Sequence, residues 1–188
     1  MTAVFVGGSR HVSRLSAAVR GRLDSIMAQG HRVLVGDAGG ADAAVQRHLH
    51  TAGYDAVAVY CSGAAPRTNA GGWAVEAVPV PASARGFAFY AEKDRAMARA
   101  ADFGLMIWDG KSPGTVLNVL RMVRLGKPTL LYRGGGEGRG DDHQVFRTGA
   151  DWDRFLAGCD GAFVEALRRR ATPEEWSGPT RTSETETP

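Results

Sequence analysis

Two stretches decide the fold: Ala3-Val4-Phe5-Val6-Gly7-Gly8-Ser9-Arg10, and its echo Arg32-Val33-Leu34-Val35-Gly36-Asp37-Ala38-Gly39-Gly40. Each is a short, continuous apolar run that breaks into glycine. A run that is apolar without alternation suits a strand buried on both faces, as in a parallel sheet. Between the two, Val12, Leu15, Val19, Leu23, Ile26 and Met27 recur at helical spacing, which predicts an amphipathic helix over residues 12–28 that stops near Gly30. Asp42 to Thr51 reads as a second helix, closed by Gly53, and Ala56 to Tyr60 as a third strand.

Outward from this unit the alternation continues. Residues 61–72 are rich in Gly, Ala, Pro, Ser, Thr and Asn and read as a loop, with a short strand within Trp73 to Val80 before Pro81. Phe87 to Ala101 has helical spacing, Phe103 to Trp108 is an apolar strand, and Thr115 to Leu125 is a helix stopped by Gly126. Pro128 to Tyr132 is expected to be the last core strand. Strands alternating with helices imply βαβ crossovers, so the fold class is α/β: Rossmann-like, a mostly parallel sheet flanked by helices on both faces. Residues 1–170 are expected to form a single domain. Within it, Gly134 to Asp142 is a glycine-rich, charged loop and residues 151–170 form one or two short helices. Thr, Ser, Glu and Pro dominate thereafter, so residues 171–188 are expected to be a disordered tail.

The chain has 188 residues, and its 23 Lys and Arg against 20 Asp and Glu leave a formal charge of +3, a balance that permits nucleic-acid contact without arguing for it. Cys61 and Cys159 lack zinc or disulfide spacing, and His11, His31, His48, His50 and His143 form no ligand set, so neither a metal nor a cofactor is expected. With no basic leader and no long apolar run, the expected location is cytoplasmic, with no membrane contact.

Ligands of open α/β sheets sit outside the carboxyl ends of the strands, where helix N-termini present free N–H groups. Three turns have that character. In Gly7-Gly8-Ser9-Arg10, glycine allows close backbone approach to an anion, Ser9 offers a hydroxyl and Arg10 a charged fork. In Gly36-Asp37-Ala38-Gly39-Gly40-Ala41-Asp42, Asp37 sits at the strand end where a carboxylate can accept ribose hydroxyls, whereas Asp42 can equally cap the helix. Asp109-Gly110-Lys111-Ser112-Pro113-Gly114-Thr115 directly precedes a helix, so its amides and the Ser112 and Thr115 hydroxyls predict a phosphate cradle. Neither a Walker A nor a GxGxxG motif is present, which removes the main support for ATPase and hydride-transfer readings.

With these turns, with Lys93-Asp94-Arg95-Ala96-Met97 in a helix, with Ala101-Asp102 leading to Ser112-Pro113-Gly114-Thr115, and with Gly126-Lys127-Pro128, the chain resembles the SLOG superfamily over residues 3–132. That group includes the lonely-guy phosphoribohydrolases and the DNA-processing protein A family. The resemblance implies a Rossmann-like fold, homo-oligomerisation and a nucleotide-derived ligand. The lonely-guy pattern has an Arg-Lys pair where this chain has Lys93-Asp94, and a glutamate where Gly114-Thr115-Val116-Leu117-Asn118 ends in an amide. Asn118 cannot act as a carboxylate, but an amide can still read a base or ribose. The expected role is therefore a nucleotide-binding, sensor-like domain, with Gly8, Ser9, Arg10, Asp37, Gly39, Gly40, Lys93, Asp109, Ser112, Gly114, Thr115 and Asn118 at the ligand. The alternative is an N-glycosidase using Asp109 and Asp94 as non-standard carboxylates. Single-stranded DNA binding is a third reading, permitted by charge but supported by no aromatic and basic stripe.

Overall fold

The computed structural model describes residues 1–133 and 142–178. Strands β1 (Ala3–Gly8), β2 (Arg32–Gly36), β3 (Val57–Ser62), β4 (Ala74–Val78), β5 (Phe103–Trp108), β6 (Thr129–Arg133) and β7 (His143–Phe146) form one sheet in the order β4-β3-β2-β1-β5-β6-β7. All pairings are parallel except β6 with β7. The chain runs outward from β1 to one edge, returns to β5 beside β1, and continues to the other edge. The β1–β5 junction is therefore the point where strand order reverses.

The sheet is covered on both faces because its strands are apolar on both. Val4 and Val6 of β1 pack with Leu105 and Ile107 against α1 (Ala17–Ala28) and α2 (Ala41–Thr51). Phe5, one residue out of phase, packs with Met106 and Trp108 against α3 (Gly86–Ala100) and α4 (Pro113–Arg124). This is the period-two geometry of a strand with helices on both sides, a Rossmann-like α/β fold. Helix α4 is buried from Thr115 through Val123, so its apolar run meets protein all round.

Three expectations are revised. The first helix starts at Ala17 rather than residue 12, because the Ser16 hydroxyl accepts the Val19 N–H at 3.2 Å and caps it; Val12 and Leu15 are buried in the preceding loop. Tyr132 does not end the sheet, since β7 adds an antiparallel edge whose Phe146 is fully buried. The tail is ordered over its first part. Thr172 and Glu175 form a reciprocal capping box that starts the short helix α7 (Pro173–Ser177), and Trp176 packs on the α4 side of the core. The expected helices within 151–170 are α5 (Gly149–Ala157) and α6 (Gly161–Arg168). The glycine-rich loop from Gly134 lies, except for Asp142, outside the described residues, as does the tail beyond residue 178. No helix among the described residues is long and apolar enough to cross a membrane.

Candidate functional site

The β1–β5 junction brings the first and third turns together. Ser9, buried at the end of β1, donates its hydroxyl to Asp109 Oδ2 at 2.8 Å and lies 2.9 Å from the Ser112 hydroxyl. Ser112 adds its own hydroxyl to Asp109 Oδ2 at 2.7 Å, while the amides of Ser112 and Lys111 donate to Oδ1 at 2.7 and 2.9 Å. His11 Nδ1 stands 3.3 Å from Oδ2. Burial pushes the Asp109 carboxyl up, but the Ser112, Lys111 and Ser9 hydrogen bonds outweigh it and hold the group well below the usual carboxylate range. Asp109 is thus the anion that this turn binds, and the Ser112 hydroxyl and amide expected in a phosphate cradle are used on it.

What remains for a ligand is the first turn of α4. Ser112 makes no side-chain cap there, so the first-turn N–H groups keep their anion-binding capacity. Thr115 is 3% exposed, and its hydroxyl is buried without a hydrogen-bond partner. Gly114 is open, with only the Phe87 ring edge 3.4 Å from where a Cβ would lie. Phe87 and Tyr90, in the opening turns of α3, are large apolar residues left exposed.

Gly8 and Gly40 are needed for packing. A Cβ on Gly8 would lie 2.5 Å from the Ile107 carbonyl and 2.7 Å from Ala41 Cβ, so β1, β5 and α2 close only over a hydrogen atom. Gly40 has φ +71°, and a Cβ there would strike the Arg10 backbone. The Ala41 amide at the start of α2 donates to the Ser9 carbonyl at 3.0 Å, which ties the first two turns together. Arg10 is exposed beside them, and Gly39 is exposed and unobstructed.

The second turn is closed. Both Asp37 oxygens are held by Arg67, with Nε at 2.9 Å, Nη2 at 2.8 Å and the Arg67 amide at 3.1 Å. Burial raises the Asp37 pKa, and the Arg67 hydrogen bonds more than reverse it, with Lys93 helping. Arg67 lies over Tyr90, 4.4 Å from the ring centroid. Gln46, fully buried, secures the same loop by donating to the Gly36 and Thr68 carbonyls and accepting the Ala70 amide. Asp42 does not cap α2; it lies beneath the turn, accepting the Ala38 amide at 3.2 Å and facing Lys93 Nζ at 3.6 Å.

Lys93 is the hinge of a buried charge chain between α3 and α4. Its ammonium meets Asp94 at 2.9 Å as well as Asp42, and although burial lowers its pKa, the two carboxylates raise it overall. Burial lifts the Asp42 pKa to about 6 against the opposing pull of Lys93. Asn118 donates to Asp94 at 3.5 Å and accepts from Arg121 at 2.5 Å; Arg121 in turn reaches Glu175 of α7 at 2.7 Å, and Arg95 joins Glu175 at 2.8 Å. Arg121 Nη2 is the other buried side-chain polar atom without a partner among the described residues, and it shares α4 with Thr115.

Of the expected residues, Ser9, Asp109 and Ser112 form one cluster, and Lys93, Asp94 and Asn118 another. No hydrogen bond joins Asp94 to Asp109. A carboxylate held as Asp109 is, strongly anionic and fully engaged, is a poor general acid at neutral pH. Sequence reasoning did not assign Arg67, Gln46, Arg121 or Glu175. Gln46 and Arg121 carried a signal: each is a polar residue on an otherwise buried helical face. Among the described residues no group of His, Cys, Asp and Glu is arranged to hold a metal ion. Compared with family models, with curated proteins and with solved structures, the chain matches none of them.

Proposed function

We propose that this chain is a binding domain for a phosphate-bearing nucleotide or nucleoside derivative, held at the β1–β5 crevice, with recognition rather than turnover as its role. The observation that carries the reading is the buried, unpartnered Thr115 hydroxyl in the first turn of an uncapped α4, at the point where strand order reverses. A buried hydroxyl without a partner costs about 1–3 kcal/mol, and a phosphate oxygen that reached it as the first turn of α4 yields would relieve that cost. First-turn N–H groups supply the remaining donors and Arg10 an exposed cation. Phe87 offers a stacking surface beside Gly114. The engaged state of Asp109 supports binding over N-glycosidic cleavage, whereas the Asn118 amide is taken up by Asp94 and Arg121. The SLOG resemblance supports the same ligand class and carries the expectation of a homo-oligomer, which sedimentation of the purified protein checks.

The test is a thermal-shift screen against nucleotides, nucleoside diphosphate sugars and ADP-ribose derivatives. A ligand at a hundred times its Kd stabilises the native state by about 2.7 kcal/mol. The shift is expected to vanish in Gly114→Asp, which places a carboxylate in the cradle. Silence across the panel, or a shift that survives in this variant, refutes the site; release of free base on incubation instead establishes the hydrolase.

A further inference from the structure

A cavity of about 630 Å³ lies on the far side of the β5–α4 turn from the crevice, between the ends of β5, β6 and β7 and the helices α5 and α6. This volume is within the range of roughly 300–1,000 Å³ typical of small-molecule sites. Its floor is aromatic. The Trp108 ring packs 5.9 Å from Phe155 and 5.7 Å from Phe163, and its indole N–H already donates to the Ser112 carbonyl at 3.0 Å, so the ring asks no polar partner of a ligand. Phe155 and Phe163 are only partly buried, and both line the cavity.

The rim is cationic. Lys111, Arg133 and Arg154 border the cavity against one carboxylate, Asp160, whose Oδ1 accepts the Phe163 amide at 2.9 Å as the cap of α6. Lys111 uses its amide on Asp109, and its ammonium makes no ion pair among the described residues. Arg133 holds its guanidinium 5.4 Å from the Trp108 ring centroid and meets Asp142 only at 3.7 Å, with both side chains more than half exposed at 58% and 63%. Arg154 is 74% exposed and pairs with Asp151 at 3.2 Å. Exposed pairs of this kind hold their cations weakly, so an incoming oxyanion can displace them.

We propose that this cavity is a second ligand site, taking a small amphipathic anion: a flat apolar body against the partly exposed rings of Phe155 and Phe163, with the buried Trp108 behind them, and one oxyanion head between Lys111 and Arg133. A planar body suits aromatic walls, and a guanidinium already lying over the indole is placed to hold an anion at the edge of a stacked ring. The site uses side chains other than those of the proposed nucleotide cradle, while Lys111 stands in the same β5–α4 turn and Trp108 donates to the Ser112 carbonyl there.

The probe is 8-anilinonaphthalene-1-sulfonate, added to the folded full-length chain. Saturable one-to-one binding is expected, and the uncharged N-phenyl-1-naphthylamine should bind at least about tenfold more weakly, as should the sulfonate to Lys111→Ala/Arg133→Ala. Both replaced side chains act at the rim, so the variant is expected to melt as cooperatively as the wild type. Cys159 gives a readout that needs no variant: it lines the cavity and is half-buried, while Cys61 is fully buried. Bound probe should slow Cys159 alkylation by iodoacetamide several-fold. Binding that does not saturate, equal affinity for the charged and neutral probes, unchanged affinity in the double variant, or an unprotected Cys159 each overturns the proposal. The nucleotide screen can succeed or fail without altering any of these results.

Discussion

Asp37 and Asp109 occupy equivalent places, each following a buried strand and preceding a glycine-bearing turn, yet the two regions close by different means. Asp109 stays anionic and is satisfied locally by the amides and hydroxyl of its own turn, with Ser9 from the neighbouring strand. Asp37 is neutralised by Arg67 from a loop that crosses over from β3, and that loop is pinned by Gln46. Local closure uses the turn on itself and leaves the first turn of α4 open. Closure from a distance covers the end of β2 and, beneath it, permits the buried Asp42–Lys93–Asp94 group. Two turns of similar composition thereby acquire opposite characters, one followed by a helix start without a side-chain cap and one sealed by Arg67.

The hardest test of the sealed side is Lys93→Met, which leaves two carboxylates without their shared cation. A loss of about 3–5 kcal/mol is expected in urea titration at neutral pH. Since the Asp42 pKa is raised in the folded state, to about 6, its protonated form favours folding. Its contribution is present below the unfolded value of 3.8 and is lost as pH rises through about 6 and beyond. The deficit of Lys93→Met should therefore shrink on acidification, and a deficit independent of pH would show that Asp42 is not the group left exposed to the loss.

Glu175→Gln comes next. Burial raises the Glu175 pKa, but Arg121 and Arg95 pull it down to about 2 from 4.5. With the folded value depressed, its stabilisation is present above 4.5 and is lost as pH falls from there towards about 2. The variant is expected to lose roughly 2–3 kcal/mol at pH 7 and to converge with the wild type in that acid window, as measured by denaturation at a series of pH values.

Arg67→Ala separates the two closures directly. Its side chain is 40% exposed, so solvent compensates in part and about 1–2 kcal/mol is expected. Amide exchange should accelerate in residues 61–72 and remain unchanged in the Asp109 turn. The smallest stability effect belongs to Gly114→Asp. An acid in the first turn of α4 suits the helix dipole, and the Cβ has room, so global stability should stay within about 1 kcal/mol of wild type while nucleotide binding is lost. A large destabilisation would mean that this turn is packed rather than open.

Much of the fold was legible because it rests on local patterns. The strand over Phe103–Trp108 matches the apolar run to the residue, and the β1-turn-α1-β2 unit follows from apolar runs, glycine and helical spacing. The edge strand β7 was not legible, since His143–Phe146 is four residues long and becomes a strand only by pairing with β6. Nor was α7, whose composition favours disorder until Thr172 and Glu175 cap each other and Glu175 meets the buried Arg121 and the half-buried Arg95. At the site, the junction of Ser9 with Asp109 and Ser112 could be anticipated from the rule that ligands gather at the carboxyl ends of strands. The use of Asp109 as the turn's own anion could not.

By itself, then, the sequence determined a doubly covered parallel sheet, the glycine turns at its carboxyl edge and the residues available there, because apolar periodicity and glycine act over neighbouring positions. Only the tertiary structure decided which turn is open. Arg67 reaches Asp37 from 30 positions away, and Arg121 meets Glu175 across 54. Pairings at such separations depend on where the folded backbone brings two charges, and neither partner's neighbours in sequence record the other.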